Sequence, residues 1–361
     1  MTTWKPRSTK ACTKSGDHQV SWQPSPMTSR RVGSAGSPKV SYSISMPLEC
    51  ARMASILAVG RVSVKRRRVP SADVTGDPVR IDPLSGVPAR IVPSRQGRPN
   101  LPDGTCPFCP GGLEAPEPYE VLAFPNRWPP MSEGRAEIIL YSPIHDADLG
   151  RLDAAQGRRL VDLWAQRSAA LGARPDVDYV LIFENRGAAV GATIAHPHGQ
   201  LYAFDSVPPA ALVELDNPRA AATFDASAHG DRIVVEGPHW SAWIPEAAGW
   251  PYELLVAPSS AVADLPSLDA NQRDHLAQIL RELVQRLDGL FDAPMPYMLW
   301  IHQRPFDGGR WPGARLHIHI APLLRAPGTQ RFVAAGELGS GVLFNPIDPV
   351  TAAASLRAAL P

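Results

Sequence analysis

Nowhere in these 361 residues do eighteen consecutive apolar residues occur, which excludes a transmembrane helix. Cysteine is scarce, with four in the whole chain. Two of them sit together in Cys106-Pro-Phe-Cys109, a spacing that reads as half of a metal site in a reducing compartment rather than as part of a disulfide framework. A cytoplasmic location and no membrane contact are therefore expected. Acidic residues are nearly missing from the first seventy positions, where Asp17 and Glu49 face thirteen Lys and Arg. The overall charge of +1 thus hides a basic arm and an acidic body. The arm, residues 1–70, has no sustained period of 2 or 3.6 and too little clustered apolar surface to offset ordering entropy, so disorder is its expected state. Three readings of it stay open: a transit peptide, a polyanion contact through Lys65-Arg66-Arg67-Arg68, or sequence without a role upstream of a later start such as Met53. Proline is plentiful at 39 residues, which predicts few long helices and stiff loops.

From Asp77 the texture changes. Arg90–Pro93, Val121–Phe124 and Glu137–Tyr141 read as strands. Ala154 to about Leu171 has helical apolar spacing. Tyr179–Phe183 is a near-continuous apolar run between turn formers, and Leu201–Phe204 is another strand. The second half repeats this order, with strands at Ile233–Glu236, Ser241–Pro245 and Glu253–Val256, an amphipathic helix from Ser267 to about Phe291, and strands at Tyr297–Ile301 and Leu316–Ile320. Each half ends on a strand bearing His-x-His: His196-Pro-His198 in the first and His317-Ile-His319 in the second. An internal duplication follows from pattern alone. The expected fold class is α+β, two similar units of antiparallel sheet with helices, spanning residues 77–208 and 209–361.

In an extended chain His196, His198 and Gln200 share one face, and such a set is costly to bury without a task. The Gly-rich segment Asn185-Arg-Gly-Ala-Ala-Val-Gly191 precedes them, a stretch that lets backbone N–H groups approach a phosphate. A tetrahedral zinc site needs two ligands beyond Cys106 and Cys109, and His145 and His196 are the candidates in the same half. In the second half His302, His317 and His319, with a carboxylate such as Glu214, would suit iron or zinc. Satisfied buried histidines and free thiols are the competing readings.

The segment Phe183-Glu-Asn-Arg-Gly-Ala-Ala-Val-Gly-Ala-Thr-Ile-Ala-His-Pro-His-Gly-Gln200 closely resembles the active-site segment of galactose-1-phosphate uridylyltransferases, a branch of the histidine-triad superfamily. Arg95-Gln-Gly-Arg-Pro99, the Cys106/Cys109 pair, Ser142-Pro-Ile-His145, Trp250-Pro-Tyr-Glu253, Leu316-His-Ile-His319 and Pro322-Leu-Leu-Arg325 add to the resemblance, which spans roughly residues 77–345. It implies two histidine-triad-like repeats, His198 as nucleophile and Gln200 as its phosphoryl partner. It implies zinc on Cys106, Cys109, His145 and His196, and a second Zn2+ or Fe2+ on Glu214, His302, His317 and His319. Arg95 and Arg98 would meet substrate phosphates, while Asn126, Asn185, Gly191, Ala192 and Thr193 would line the nucleotide-sugar site. Arg331, Phe332 and Glu337 resemble residues that reach the active site of a neighbouring subunit, which implies a homodimer. Arg127 and the tail from Gly339 depart from the family pattern. The reaction implied is exchange of UMP between UDP-glucose and galactose 1-phosphate in ping-pong fashion. Glutamine at position 200 donates no proton at neutral pH, which fits exchange better than hydrolysis. Two other classes compete: a related nucleotide-sugar or dinucleotide phosphorylase, and a silent nucleotide- or nucleic-acid-binding module. Intact His198 and Gln200 speak against the silent module and against a nucleic-acid partner.

Overall fold

The computed structural model describes residues 79–98, 105–131 and 134–359. The arm of residues 1–70, with its expected disorder, lies outside the described residues. A short hairpin, β1 (Val79–Ile81) and β2 (Pro88–Arg90), comes first. The strand expected over Arg90–Pro93 ends at Arg90, because Pro93 opens a 3-10 turn at Pro93–Gly97. The first half then runs β3 (Leu122–Pro125), β4 (Ala136–Leu140), α1 (Ala154–Gly172), β5 (Tyr179–Arg186) and β6 (His198–Phe204). Two short helices, α2 (Pro209–Leu215) and α3 (Ala220–Thr223), lead into β7 (Ile233–Glu236), β8 (Trp240–Trp243), β9 (Leu254–Pro258), α4 (Ala270–Gly289), β10 (Tyr297–His302) and β11 (His317–Pro322). A hairpin of β12 (Leu324–Ala326) and β13 (Thr329–Gln330) and the helices α5 (Ala335–Ser340) and α6 (Pro349–Ala358) follow. The sequence pattern did not anticipate α2, α3, α5 or α6, which are short and carry weak periodicity.

The two expected units share one antiparallel sheet of nine strands, in the order β3-β4-β6-β5-β10-β11-β9-β8-β7. Each half contributes a helix-following strand to the seam, β5 against β10, with Phe183 opposite Trp300. Outward from the seam the order is mirrored: β6 then β4 and β3 on one side, β11 then β9 and β8 on the other. A local two-fold relation through the Phe183–Trp300 pair follows. Pairing at the seam gives neither unit a free edge there.

Strand alternation divides the sheet into two faces. Ile139, Ile182, Leu201, Val256, Leu299, Ile301, Ile318 and Ile320 are buried on one face beneath α1 and α4. These two helices are the long ones among the described residues, and both are free of proline. Asp153 caps α1, and Asp269 with Gln272 forms a capping box on α4, one position outside the helix it starts. The helices meet where Gly157 faces Ala277. Trp164, fully buried, contributes on the order of 3 kcal/mol of apolar burial to this layer. The opposite face carries His198, Gln200, His302, His317 and His319. One face packs the core and the other gathers the histidines. Among the described residues no helix is long and apolar enough to cross a membrane.

Candidate active site and metal clusters

β6 begins at His198, and its burial alternates from there to Phe204. The His198 Nδ1–H donates to the carbonyl of His196 at 2.8 Å. That contact fixes the tautomer and leaves Nε2 with its lone pair free. Burial pushes the His198 imidazole below its ordinary value, with His196 and Arg98 adding to the shift against the hydrogen bond to His196. The ring is therefore neutral at pH 7. A cavity of about 130 Å³ opens beside it, lined by Arg98, Asn126, Thr193 and Gln200 among others. The Gln200 carbonyl oxygen accepts from Asn126 Nδ2 and from the Tyr202 hydroxyl, each at 3.3 Å. With its oxygen engaged, Gln200 has its amide N–H groups left to donate. Arg98 donates to Thr193 Oγ1 at 3.2 Å.

Other expected substrate residues lie around this cavity rather than in it. Arg95 approaches Tyr202. Asn185 follows Phe183 on the same face of β5, and Phe183 pairs with Gln200. Gly191 has a φ of +88° at the turn that delivers Ala192 and Thr193. Arg331 and Glu337 turn inward: they pair at 2.5 Å, and Glu337 accepts from the backbone N–H groups of Ala334 and Phe344. The Arg331 guanidinium lies 4.4 Å over the Trp250 ring. Phe332 is 76% exposed.

Cys106, Cys109, His145 and His196 bring one ligand atom each to within 4.8 Å of one another. Cys109 Sγ lies 3.5 Å from His145 Nδ1 and 3.6 Å from His196 Nδ1. A tetrahedral zinc ion with sulfur at about 2.3 Å and nitrogen at about 2.0 Å sets such atoms about 3.6 Å apart, so the donors fit. His196 Nε2–H donates to the Ser142 carbonyl at 2.8 Å, leaving Nδ1 bare towards the cluster. The Tyr119 hydroxyl sits 2.8 Å from the same nitrogen and donates to Phe108 O. Burial and the adjacent Cys106 push the Cys109 thiol up, and a bound cation would favour its thiolate.

Glu214, His302, His317 and His319 form the second group, also within 4.8 Å. Glu214 Oε2 is 2.5 Å from His302 Nδ1 and 3.1 Å from His317 Nε2, and Oε1 is 3.5 Å from His319 Nε2. His317 Nδ1–H donates to Arg315 O at 2.9 Å. Burial opposes ionisation of Glu214, but hydrogen bonds from the three imidazoles hold its carboxyl well below the usual carboxylate range. Burial pushes His319 down to about 4. Its Nε2 is a buried nitrogen without a hydrogen bond of normal geometry, and Trp300 stacks on the ring at 4.8 Å. A carboxylate and three imidazole nitrogens converging on one point form a donor set that suits a divalent cation.

Sequence reasoning missed Tyr119, Tyr202, Phe108 and Trp300. Period-2 alternation past Gln200 carries a signal for Tyr202. Tyr119 lies far from the motifs in sequence and has none.

The sheet, the strand-borne nucleophile candidate and the two donor clusters define a duplicated α+β nucleotidyltransferase. Residues 128–208 match a family model described as galactose-1-phosphate uridyl transferase, N-terminal domain, and residues 213–342 match the corresponding C-terminal domain. The chain belongs to the galactose-1-phosphate uridylyltransferase family. It is 37% identical over 262 residues to a galactose-1-phosphate uridylyltransferase from Streptomyces lividans, covering 66% of this chain and 73% of that protein. Identity to the Thermotoga maritima galactose-1-phosphate uridylyltransferase is 31%, covering 77% and 97%. A solved uridylyltransferase structure superposes with a TM-score of 0.71 at 28% identity, covering 78% of this chain and 98% of that one.

Proposed function

We propose that this chain exchanges UMP between UDP-glucose and galactose 1-phosphate, passing it through a uridylyl group on His198. One observation carries this reading: a neutral imidazole whose Nδ1 is tied to His196 O while Nε2 faces a cavity lined by amide and guanidinium donors. Nε2 attacks the α-phosphorus, an N–P bond forms, and the bond to the sugar phosphate breaks with its electron pair leaving on oxygen. Positive charge spreads onto the ring beside the phosphate, and the His196 carbonyl steadies it. The Gln200 amide donates to the non-bridging oxygens as charge moves, and Arg98, with Arg95 behind it, orients the phosphates. In the second half-reaction a phosphate oxygen of galactose 1-phosphate attacks the same phosphorus and frees His198.

The repeats of residues 77–208 and 209–361 divide the work. We assign zinc to Cys106, Cys109, His145 and His196, where it staples the segment before β3 to the start of β6. A second zinc or an iron on Glu214, His302, His317 and His319 ties α2 to β10 and β11. When bound, these ions supply cross-links between elements and charge compensation for the thiolates and Glu214. Phe332, Leu338 and Phe344 expose apolar surface, which supports a homodimer in which Phe332 reaches the neighbouring site, its loop held by the Arg331–Glu337 pair. Asn126, Asn185, Gly191, Ala192 and Thr193 line the nucleotide side.

Incubation with α-phosphate-labelled UDP-glucose tests the covalent step: acid-labile, base-stable label is expected on the wild type and none on His198→Ala. Label from ADP-glucose alone overturns the uridylyl assignment in favour of a phosphorylase.

A further inference from the structure

Beneath the catalytic strand, on the helix-covered face, lies a set of polar side chains that the chemistry above does not use. Glu184 sits on β5 between Phe183 and Asn185, facing the core, and is 4% exposed. Tyr297, fully buried on β10, donates its hydroxyl to Glu184 Oε1 at 3.1 Å. Tyr141, also fully buried, lies beside Glu184. Glu184 Oε2 and the Tyr141 hydroxyl are each buried without a hydrogen-bond partner of normal geometry. A proton on Oε2 directed at Tyr141 would satisfy both.

Tyr141 in turn touches the strand on both sides of the nucleophile. Its backbone N–H donates to Pro197 O at 3.2 Å. Its hydroxyl would lie 2.3 Å from a Cβ placed on Gly199, the residue between His198 and Gln200. Only glycine leaves room for that approach.

The second repeat supplies a comparison. Pairing of Phe183 with Gln200 and of Trp300 with His319 puts Ile301 at the place matching Glu184 and Ile318 at that matching Gly199. Continued through β4 and β9, the register matches Tyr141 to Pro258. The same positions therefore accept hydrocarbon in the repeat whose strand imidazoles face Glu214. A buried carboxyl is a costly substitute for isoleucine in a core, so its presence only under His198 calls for a task there.

We propose that Glu184 is a positioning residue for nucleotidyl transfer: bridging Tyr297 and Tyr141, it holds the Tyr141 hydroxyl against Gly199 and thereby sets the strand that carries His198 and Gln200. Besides the two tyrosines, Arg186 and Asp148 are the charged groups that act on Glu184, and Arg186 is itself tied to Asp148 and Asp288. Burial raises the Glu184 carboxyl to about 7 despite Tyr297, Arg186 and Tyr141, so it holds its proton through mildly acidic pH.

The inference deepens the reading of His198 as nucleophile, and its test runs on ratios to the wild type with one substrate pair, so failure of the covalent step is seen separately as absence of label. Steady-state kinetics of Glu184→Gln, Glu184→Ile and Tyr141→Phe are measured from pH 6 to 9, with thermal melts as a check on folding. Glu184→Ile is expected to lower kcat about tenfold or more, with KM for UDP-glucose shifted less than about threefold, since small misplacement of a reacting group acts on kcat. Glu184→Gln, neutral and able to hydrogen-bond, should stay within about threefold of wild type at pH 7 and lose the change in kcat that wild type shows as Glu184 ionises. If Glu184→Ile does not fold, Tyr141→Phe carries the test, with kcat reduced and KM little changed. Wild-type kcat in Glu184→Ile, equal impairment in Glu184→Gln, or an unaffected Tyr141→Phe where Glu184→Ile cannot be read overturns the proposal.

Discussion

The two repeats hold the same side chain in the same pose and use it differently. His198 and His317 each donate Nδ1–H to the carbonyl two residues earlier, at 2.8 and 2.9 Å. Each therefore turns its Nε2 to the open face of the sheet. In the first repeat that nitrogen meets a cavity with Gln200 beside it. In the second it meets Glu214 from α2 at 3.1 Å, and His319 occupies the place of Gln200. One carboxylate delivered by one short helix turns the pose of the proposed nucleophile into a donor set that could hold a cation. The first repeat keeps its donor cluster apart: His196, two residues before His198, turns to Cys109 and His145, and Arg315 stands at the matching place in the second. Duplication set the strand and the imidazole tautomer; the neighbours set the chemistry.

The largest expected effect breaks the comparison outright. His198→Ala should lower exchange by about four orders of magnitude or more and abolish covalent label, while His317→Ala should retain label in full amount per folded molecule. Equal loss in both would mean that the repeats share the chemistry. A thermodynamic effect comes next. Glu184 is raised above its ordinary value of 4.5 to about 7, so between these values the folded chain holds a proton that the unfolded chain has lost. Its contribution to stability is complete below 4.5 and is lost as pH rises through 7. Denaturant titrations from pH 4 to 8 should show Glu184→Gln gaining on wild type by up to about 3 kcal/mol, and Ile301, its counterpart, has no such dependence.

Giving the first repeat the second repeat's residue sharpens the contrast further. Gln200→His places a proton donor beside the phosphoryl group, and the uridylyl intermediate should hydrolyse about tenfold faster. Label half-life measured without acceptor reads this directly, and an unchanged half-life removes the argument from Gln200 to exchange. The smallest effect belongs to the cage. Glu214→Ala should reduce bound metal by about one equivalent, lower the melting temperature by several degrees and change kcat less than about tenfold. Metal analysis and kinetics on the same sample check it, and a loss as large as that of His198→Ala would move the second site into the reaction.

Most of the architecture was legible in the sequence because alternation and helical spacing are local signals. The run Tyr179–Phe183 and the helix expected from Ser267 to about Phe291 fall within a few residues of their observed bounds. Cys106-x-x-Cys109 and the two His-x-His pairs stood out because their spacing within one element brings ligands together. What pattern did not reach was the joining of both units through Phe183 and Trp300, since an edge strand looks the same whether it meets solvent or another unit. Nor did it show Arg331 and Glu337 turning inward to each other, a choice made by burial and by the backbone donors at Ala334 and Phe344.

By itself the sequence determined the repeat, the face on which His198 lies and the residue types able to ligate a cation, because periodicity and chemical type are properties of the chain. Only the tertiary structure decided which nitrogen of His198 is engaged by the backbone, which carboxylate joins the three histidines and which buried groups lie beneath β6. Those depend on groups far apart in sequence, such as Tyr119 with His196, Glu214 with His302, and Glu184 with Tyr297. A contact between distant residues leaves no period in the chain that makes it.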